Sequence, residues 1–388
     1  MIISRLQLKN WKNFRKVDVN LRDRVYLIGP NASGKSNFFD ALRFLRDIAK
    51  TEGGGLQKAV KERGGIKKLR SLLARKDPEI SISVELSESA DTNPKWRYCL
   101  SFRSEGIGAQ RVVISKESVE KFDDYGNLTS ILFRPDSSDR HDRDQLTQTR
   151  LEQISANKEF REISDFFGNF TYLHLVPQLL KYADQLASYR LENDPFGQAF
   201  LERVARTTQK TRDSRLRKIE SALKTCVPNM SQLRFVKDDI NGTPHLEALY
   251  EHWRPDAGWQ REDQFSDGTL RLLALMWSLL DGDSLLMLEE PELSLNVEIV
   301  RRIHPLIVQI QRQAKYRRQI LITTHSQALL ENKSIDPNEV IRLEPTADGT
   351  IALRVNEEDQ KMINSGYSIA EIMLPKAKPK NINQFTLF

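Results

Sequence analysis

The first 28 residues alternate loosely between apolar and polar side chains, a pattern typical of β-strands. This part of the chain ends in a short apolar run, residues 25–28, which stops at Gly29. Beyond Ser36, apolar side chains recur every three or four residues, which predicts a helix. A glycine-containing loop, residues 29–36, therefore lies between a predicted strand and a predicted helix.

The pattern changes twice further along the chain. Residues 80–134 predict a set of antiparallel strands, because a clean alternation at 80–86 is followed by shorter apolar runs separated by turn signals. Residues 150–225 are mostly helical in pattern. Residues 264–345 alternate apolar runs with helical patterns, which is typical of a parallel sheet with crossover helices.

These patterns predict an α/β fold with a central, mostly parallel sheet, an antiparallel β subdomain and a helical insert. The first predicted lobe, residues 1–175, carries the glycine loop and the β subdomain. The helical insert is predicted at residues 176–262, and a second lobe at residues 263–388.

Composition narrows the class of protein without deciding it. Lys and Arg outnumber Asp and Glu by 59 to 53, and this charge of +6 permits nucleic-acid binding but equally suits a solubilising surface. The two cysteines, Cys99 and Cys226, stand outside any Cys/His cluster, which disfavours a disulfide framework or a zinc site. We expect a soluble, cytoplasmic protein, since no apolar run approaches the roughly 18 residues that cross a bilayer and the start lacks a signal-peptide core.

The glycine loop reads Gly-x-x-x-x-Gly-Lys-Ser from Gly29 to Ser36 and matches the Walker A pattern. Its glycines let backbone N–H groups turn towards an anion, and the following helix adds the positive end of its dipole. Lys35 would reach the β- and γ-phosphates, and the Ser36 hydroxyl would ligate Mg²⁺. The strand and helix on either side disfavour the alternative, a glycine turn that matches by chance. The predicted ATP-binding residues here are Asn31, Ala32, Ser33, Gly34, Lys35, Ser36 and Asn37.

A second motif follows the apolar run at 285–288, which predicts a buried central strand. Two carboxylates, Glu289 and Glu290, come at its C-terminal end, where ligands bind an open α/β sheet. Glu289 is predicted to hold Mg²⁺ through water, and Glu290 to orient and deprotonate the attacking water. The alternative is an acidic helix start after a core strand.

Two further motifs are weaker when each is considered alone. The segment 266–269, Ser-Asp-Gly-Thr, precedes a predicted helix and either binds an anion at the helix N-terminus or is a plain N-cap. A strand ending in Thr-Thr-His places His325 where it could donate a hydrogen bond to a γ-phosphate. A structural histidine is the simpler interpretation of that residue alone.

In this order, the four motifs resemble the ABC-type ATPases of the RecF, SMC and OLD group, especially the compact AAA-labelled members of prokaryotic defence and mobile-element operons. Residues 8–14 also look like the first strands of that group. The resemblance covers residues 1–50 and 260–345 well and the middle loosely. It implies an ABC-type P-loop ATPase head that uses ATP and Mg²⁺, with Lys35, Glu290 and His325 as catalytic residues.

The resemblance further implies a head-to-tail homodimer, or a higher assembly, that encloses two ATP molecules. Ser266 and Gly268 would contact the γ-phosphate held by the phosphate loop of the other copy. A glutamine completes the Mg²⁺ shell in such proteins, and Gln153 is the candidate here, with Gln178 as the alternative.

The chain departs from the pattern of that group in three places. Glu289 stands where aspartate is usual, the signature reads Ser-Asp-Gly-Thr instead of Ser-Gly-Gly-Gln, and residues 292–296 lack the usual His-Pro. Slow hydrolysis is compatible with these changes. Too few residues follow His325 for the C-terminal Toprim nuclease of OLD proteins, so we expect no nuclease activity in this chain.

We expect an ATPase that acts as a sensor or clamp on nucleic acid, or that regulates an effector such as a nuclease or toxin, in antiphage defence or DNA repair. Basic stretches at 58–76, 203–218 and 312–318 either contact a phosphate backbone or are solvated surfaces. No membrane contact is expected. Two alternatives stay open, the ATP-binding subunit of a membrane transporter and a nucleotide-gated scaffold that does not hydrolyse ATP.

Overall fold

The computed structural model describes residues 1–106, 111–123, 125–182, 196–240, 242–254, 258–314 and 317–378. Its strands are, in chain order, β1 (Ile2–Trp11), β2 (Phe14–Asn20), β3 (Arg24–Ile28), β4 (Ile80–Ser87), β5 (Pro94–Ser104), β6 (Val112–Phe122), β7 (Leu128–Arg134), β8 (Thr171–Leu173), β9 (Met230–Lys237), β10 (Pro244–Tyr250), β11 (Trp259–Arg261), β12 (Leu286–Glu289), β13 (Ile320–Thr323), β14 (Val340–Thr346) and β15 (Gly349–Arg354). Its α-helices are α1 (Lys35–Ala49), α2 (Leu56–Glu62), α3 (Ile66–Leu69), α4 (Ser137–His141), α5 (Arg161–Gly168), α6 (Pro177–Lys181), α7 (Phe200–Arg206), α8 (Gln209–Leu223), α9 (Asp267–Leu280), α10 (Val297–Gln313), α11 (Gln327–Leu330), α12 (Glu357–Asn364) and α13 (Ile369–Lys376).

Six strands form an antiparallel sheet in the order β2-β1-β4-β5-β6-β7. The predicted antiparallel set is thereby confirmed, and the first two strands of the chain extend it at one edge. Alternate side chains point to one buried face, where Leu6 of β1 lies opposite Val84 of β4. That face packs against α1, where the Phe44 ring centroid lies 5.1 Å from that of Trp11 and 5.4 Å from that of Phe102.

A second six-stranded sheet has the order β15-β14-β3-β13-β12-β8. Every pair in it is parallel except β14 with β15, which confirms the predicted, mostly parallel sheet. Its middle strands are buried on both faces, so they read as continuous apolar runs in the sequence. Because parallel strands end at the same edge, the ends of β3, β8, β12 and β13 come together at one side of the sheet.

The central sheet separates two hydrophobic cores. Along β3, Val25 and Leu27 belong to the core formed with α1 and the antiparallel sheet, whereas Tyr26 and Ile28 belong to the core formed with α8, α9 and α10. Helix α1, which follows the glycine loop, and helix α9, which follows Ser266, therefore lie on opposite faces of one sheet. None of the described helices is both long and apolar enough to cross a membrane.

The segment predicted as a helical insert contains helices and also a three-stranded antiparallel sheet, β11-β10-β9, which the sequence pattern did not predict. The helical prediction was therefore incomplete. Apolar residues of β9 fall at positions 230, 233, 235 and 236, a spacing that suits a helix as well as a strand. Pairing with β10 decides the conformation of this segment. The boundaries of the three predicted units stay a proposal.

Candidate nucleotide-binding site

The glycine loop connects the end of β3 to the start of α1 and curls tightly. Gly34 has φ 99° and Ala32 has φ 60°, both in the left-handed region. A Cβ at Gly34 would lie 2.2 Å from Asn13 Nδ2, so glycine is required there for space as well as for conformation. Among the residues that the structure describes, no side chain caps the N-terminus of α1, and its first turn carries no acidic residue. Its backbone N–H groups are therefore available to an anion.

Lys35 lies at the first position of α1 and is largely buried. Its Nζ donates hydrogen bonds to the carbonyls of Gly29 at 3.1 Å and Pro30 at 3.3 Å. Burial lowers the pKa of the Lys35 ammonium. Three nearby carboxylates oppose that shift, those of Glu290, Glu289 and Glu292. Lys35 thus stands between the loop backbone and the acidic end of β12, where phosphate oxygens would meet its charge.

The predicted metal ligands Ser36 and Glu289 are in contact, although 253 positions separate them in the chain. The Ser36 hydroxyl donates to Glu289 Oε1, and the Tyr172 hydroxyl donates to Glu289 Oε2 at 2.5 Å. Burial raises the pKa of Tyr172, and the Glu289 carboxylate raises it further, so this phenol remains a donor at neutral pH. The Arg43 guanidinium carbon lies 4.3 Å from the centroid of the Tyr172 ring. Both oxygens of Glu289 are thereby held in place.

The predicted water-activating pair is also brought together. His325 Nε2 lies 3.4 Å from Glu290 Oε1, at the adjacent ends of β13 and β12. Glu290 has φ 44°, and its backbone N–H donates to the Thr323 carbonyl at 3.1 Å, which fixes the turn after β12. Burial, and next the charge of Lys35, lower the pKa of His325, whereas Glu290 opposes them. The imidazole is therefore neutral at pH 7.

The predicted signature residues start α9 as a complete N-cap. The Ser266 hydroxyl accepts a hydrogen bond from the Thr269 N–H at 3.1 Å. Asp267 accepts from Gln178 Nε2 at 2.6 Å and from Lys181 Nζ at 2.8 Å. Within the described ranges, no hydrogen bond or ion pair joins residues 266–269 to the glycine loop of the same chain. In one chain, this helix start has the N-cap geometry that was the alternative prediction.

Gln153 is not brought to the predicted metal ligands. Its side chain accepts from Arg150 Nη1 at 3.0 Å and donates to Gln148 Oε1 at 3.3 Å. The alternative, Gln178, bonds to Asp267 beside the signature helix. Strand β8, which neighbours β12, instead brings Tyr172 to Glu289. The contacts therefore do not support Gln153 as a metal ligand.

Three residues near the site were missed by sequence reasoning. Tyr172 holds Glu289, as described above. Asn13, in the turn between β1 and β2, donates to the Ser33 carbonyl at 2.9 Å and accepts from Asn37 Nδ2 at 2.8 Å. Glu292 contacts the loop that carries His325. None of the three carries a recognisable signal in the sequence, because each acts through a contact between distant parts of the chain.

Some of the basic residues that suggested nucleic-acid contact have structural roles. Arg63 pairs with Asp40 and Asp47 of α1, on the side of the central sheet that faces the antiparallel sheet. Arg318 is buried and donates to the carbonyls of Ser278 and Ser284. Residues 315 and 316 of the third stretch lie outside the described residues. Other basic side chains of the three stretches are exposed, namely Lys61, Lys67, Lys68, Arg75, Lys76, Arg206, Lys210, Arg217, Lys218, Arg312 and Arg317.

The residues present fit a nucleotide with Mg²⁺. A hydroxyl and a carboxylate, the hard oxygen ligands that Mg²⁺ prefers, already meet at Ser36 and Glu289. In the loop, Ser33 Oγ is buried and has no hydrogen-bond partner among the described residues. The described residues contain no group of three or more His, Cys, Asp or Glu that could hold a metal ion. The phosphate oxygens of a nucleotide are further ligands of the kind that Mg²⁺ prefers.

The fold and these contacts define a P-loop ATPase domain. The family described as "AAA domain, putative AbiEii toxin, Type IV TA system" matches residues 25–331, and "P-loop containing region of AAA domain" matches residues 3–45. The first match covers well over half of the chain, so the chain belongs to that AAA family.

Curated relatives match parts of the chain. The DNA replication and repair protein RecF of Roseiflexus castenholzii is 26% identical over 147 residues, which are 35% of this chain and 34% of RecF. Endonuclease GajA of Bacillus cereus is 47% identical over 47 residues, which are 12% of this chain and 8% of GajA. The chain thus spans about a third of the RecF length and less of GajA.

A solved structure extends the likeness to the whole fold. The SMC head bound to the C-winged helix domain of ScpA superposes with a TM-score of 0.56 at 15% identity, covering 93% of this chain and 100% of the head. At this identity the likeness concerns the fold. The predicted resemblance to the RecF, SMC and OLD group and the predicted fold class are confirmed.

Proposed function

We propose that this chain hydrolyses ATP with Mg²⁺ and that two copies close around two ATP molecules. One observation carries the proposal: Ser36–Glu289 and Glu290–His325, two pairs from distant parts of the chain, meet beside Lys35 at one edge of the central sheet. Phosphoryl transfer to water needs this combination of metal ligands, a positioned base and a positive charge.

Each residue has a defined part in this proposal. The loop N–H groups and Lys35 bind the β- and γ-phosphates, while Ser36 and Glu289 hold Mg²⁺, which offsets charge on the phosphate oxygens. Glu290 accepts the proton of the attacking water. Neutral His325 orients the Glu290 carboxylate or donates to the γ-phosphate.

The dimer is supported by the separation of the signature helix from the glycine loop. Ser266 is exposed at the N-terminus of α9, a helix of 14 residues, and can meet a phosphate that another copy holds. The arrangement implied by the family resemblance would make this contact in trans. Each glycine loop would then form a complete site only with the α9 of a second copy.

Replacement of Glu290 by Gln tests the hydrolytic assignment. We expect Glu290→Gln to bind ATP normally, to lose turnover by roughly 10²-fold or more and to accumulate as an ATP-dependent dimer. Steady-state phosphate release and light scattering after size exclusion measure these effects. Turnover at the wild-type rate would show that Glu290 is not the base. Absence of turnover in the wild type, with binding intact, would favour the nucleotide-gated scaffold.

We further propose that the ATPase acts on nucleic acid or through an effector protein, in DNA repair or defence. Exposed basic side chains at Lys67, Lys68, Arg75 and Lys76 support action on nucleic acid, as does the similarity to a DNA replication and repair protein and to an endonuclease. A labelled DNA duplex should bind with an affinity that falls steeply with salt, and Lys67→Glu with Lys68→Glu should weaken it. If the DNA duplex did not bind even at low salt, action through an effector protein would be the alternative that stays open.

A further inference from the structure

Glu292 follows Glu289 and Glu290 at the end of β12 and has no direct part in the chemistry proposed so far. Its Oε1 accepts hydrogen bonds from the Thr324 hydroxyl at 2.6 Å and from the His325 backbone N–H at 3.2 Å. The Thr324 hydroxyl in turn accepts from the Ser326 N–H at 2.9 Å. Glu292 therefore holds the loop from which His325 projects.

The other carboxylate oxygen of Glu292 is unused. Glu292 Oε2 is buried and has no hydrogen-bond partner among the described residues. Burial raises the pKa of the Glu292 carboxyl. A buried carboxylate oxygen without a partner is costly, so a donor that approached it would stabilise the charged form.

A matching donor lies on the signature helix. Arg271 is 7% exposed, and its Nε and Nη1 are buried without hydrogen-bond partners in the described part of the chain. Burial lowers the pKa of Arg271, and the opposing influences are the charges of Asp267, Glu292 and Glu290. Arg271 and Glu292 are therefore close enough to attract each other, yet no ion pair within 4.0 Å joins them across the described residues.

The two segments are also in direct contact through the backbone. Gly268 lies one helical turn before Arg271, and a Cβ added there would be 2.8 Å from the Ser294 carbonyl oxygen. Ser294 has φ 62° and belongs to the same connection between β12 and α10 as Glu292. A shift at the start of α9 would therefore press on the segment that carries Glu292.

We propose that Arg271 and Glu292 form a relay between the signature helix and His325. A phosphate group that binds at the start of α9 brings the two side chains into an ion pair, and this movement resets the loop that Glu292 holds. The inference rests on the proposed function, because α9 binds the nucleotide of one site while His325 serves the other. Arg271 and Glu292 are thus positioning residues that couple the two sites of the dimer.

A double-mutant cycle on the full chain tests this coupling. Arg271→Met removes the charge at similar length, and Glu292→Gln keeps the shape and an acceptor for Thr324. We expect each to lower kcat about tenfold with KM unchanged, and the double variant to be no slower than either single one. Arg140→Met, at an exposed arginine of α4, is the matched control and should leave kcat unchanged. Losses that multiply in the double variant, or an unchanged kcat in Arg271→Met, would overturn the relay.

A second measurement does not depend on turnover. The protein, labelled at its 6 histidine rings, is observed by NMR with and without Mg²⁺ and ATPγS, and His325→Gln assigns the signal. The His325 signal should move with nucleotide in the wild type and stay in place in Arg271→Met, although that variant binds ATPγS. If the His325 signal of Arg271→Met moved with nucleotide as it does in the wild type, the relay would be overturned and the proposed function would not. A wild type that binds no ATPγS would instead overturn the proposed function, and the relay with it.

Discussion

The start of α1 and the start of α9 are two helix N-termini on opposite faces of one sheet. They differ in how many functional groups of their own chain surround them. The glycine loop before α1 is surrounded by groups of its own chain, since Ser36 meets Glu289 and Lys35 lies beside three carboxylates. The start of α9 is closed by its own Ser266 and contacts no catalytic side chain by hydrogen bond or ion pair in the described ranges. On its second turn, Arg271 Nε and Nη1 are buried and have no hydrogen-bond partner in the described part of the chain.

This difference supports the proposed divided site. The α1 side carries the groups proposed to bind phosphate, hold the metal and activate water. The α9 side offers an N-terminus and the nearby Arg271 guanidinium, for which we propose no substrate within one chain. A second copy would supply that substrate, so the proposed dimer explains why a helix start with no catalytic neighbour carries a signature-like sequence.

Loss of Lys35 should have the largest effect on nucleotide binding and turnover, because it removes the main positive charge at the α1 side. We expect Lys35→Ala to abolish nucleotide binding and turnover, a loss of roughly 10³-fold or more in kcat/KM. Fluorescent nucleotide titration and phosphate release measure it. Lys361→Ala, an exposed lysine of α12, should behave as wild type. Nucleotide binding that survived in Lys35→Ala would place the phosphates elsewhere.

Removal of the Tyr172 hydroxyl should have a moderate effect on the same side. Tyr172→Phe keeps the ring under Arg43 but deletes the donor to Glu289 Oε2. One such hydrogen bond is worth about 1 kcal/mol, so we expect an about fivefold rise in the Mg²⁺ concentration that half-saturates turnover. ATP affinity without metal should not change. If the Mg²⁺ concentration for half-saturation did not change in Tyr172→Phe, Tyr172 would have no role in metal binding.

The sequence predicts the α1 side better than the α9 side for a physical reason. The phosphate loop is local, because consecutive residues and the strand and helix around them specify it. The Ser36–Glu289 contact depends on the parallel sheet, which the apolar runs also predicted. The contact of Tyr172 with Glu289 could not be predicted, since it follows from which strand lies beside β12.

Charge patterns were the least informative part of the sequence. A run of arginines has the same pattern whether its members face solvent or pair inside a core. Arg63 and Arg318 proved to be buried, whereas Lys67 and Lys68 are exposed. Sheet β11-β10-β9 was missed because the apolar spacing of β9 does not distinguish a strand from a helix.

A last effect concerns stability and not turnover, and it arises in the core on the α9 face of the sheet. His304 of α10 is hydrogen-bonded through Nδ1 to the Tyr26 hydroxyl of β3 at 2.6 Å and through Nε2 to Ser334 Oγ at 2.9 Å. Burial lowers the pKa of His304 from 6.5 to about 4. Between these values the unfolded chain binds more protons than the folded one, so the free energy of unfolding falls as the pH falls.

From pH 7 to pH 5, this one group should lower the free energy of unfolding by about 2 kcal/mol. Urea unfolding at the two pH values measures the change. His304→Gln, which cannot titrate, should lose correspondingly less stability over the same range. An equal loss in the variant and the wild type would show that His304 does not control the acid sensitivity of this core.

Mixing two inactive variants tests the divided site most directly. Lys35→Ala removes the phosphate-binding side, and Ser266→Asp keeps a good N-cap while placing a negative charge where the γ-phosphate of the other copy would lie. A mixed dimer restores one intact site of two, so an equal mixture should recover up to about a quarter of wild-type turnover, whereas each variant alone stays inactive. A mixture as inactive as its components, with mixed dimers present, or full activity of Ser266→Asp alone, would contradict a site shared between two copies.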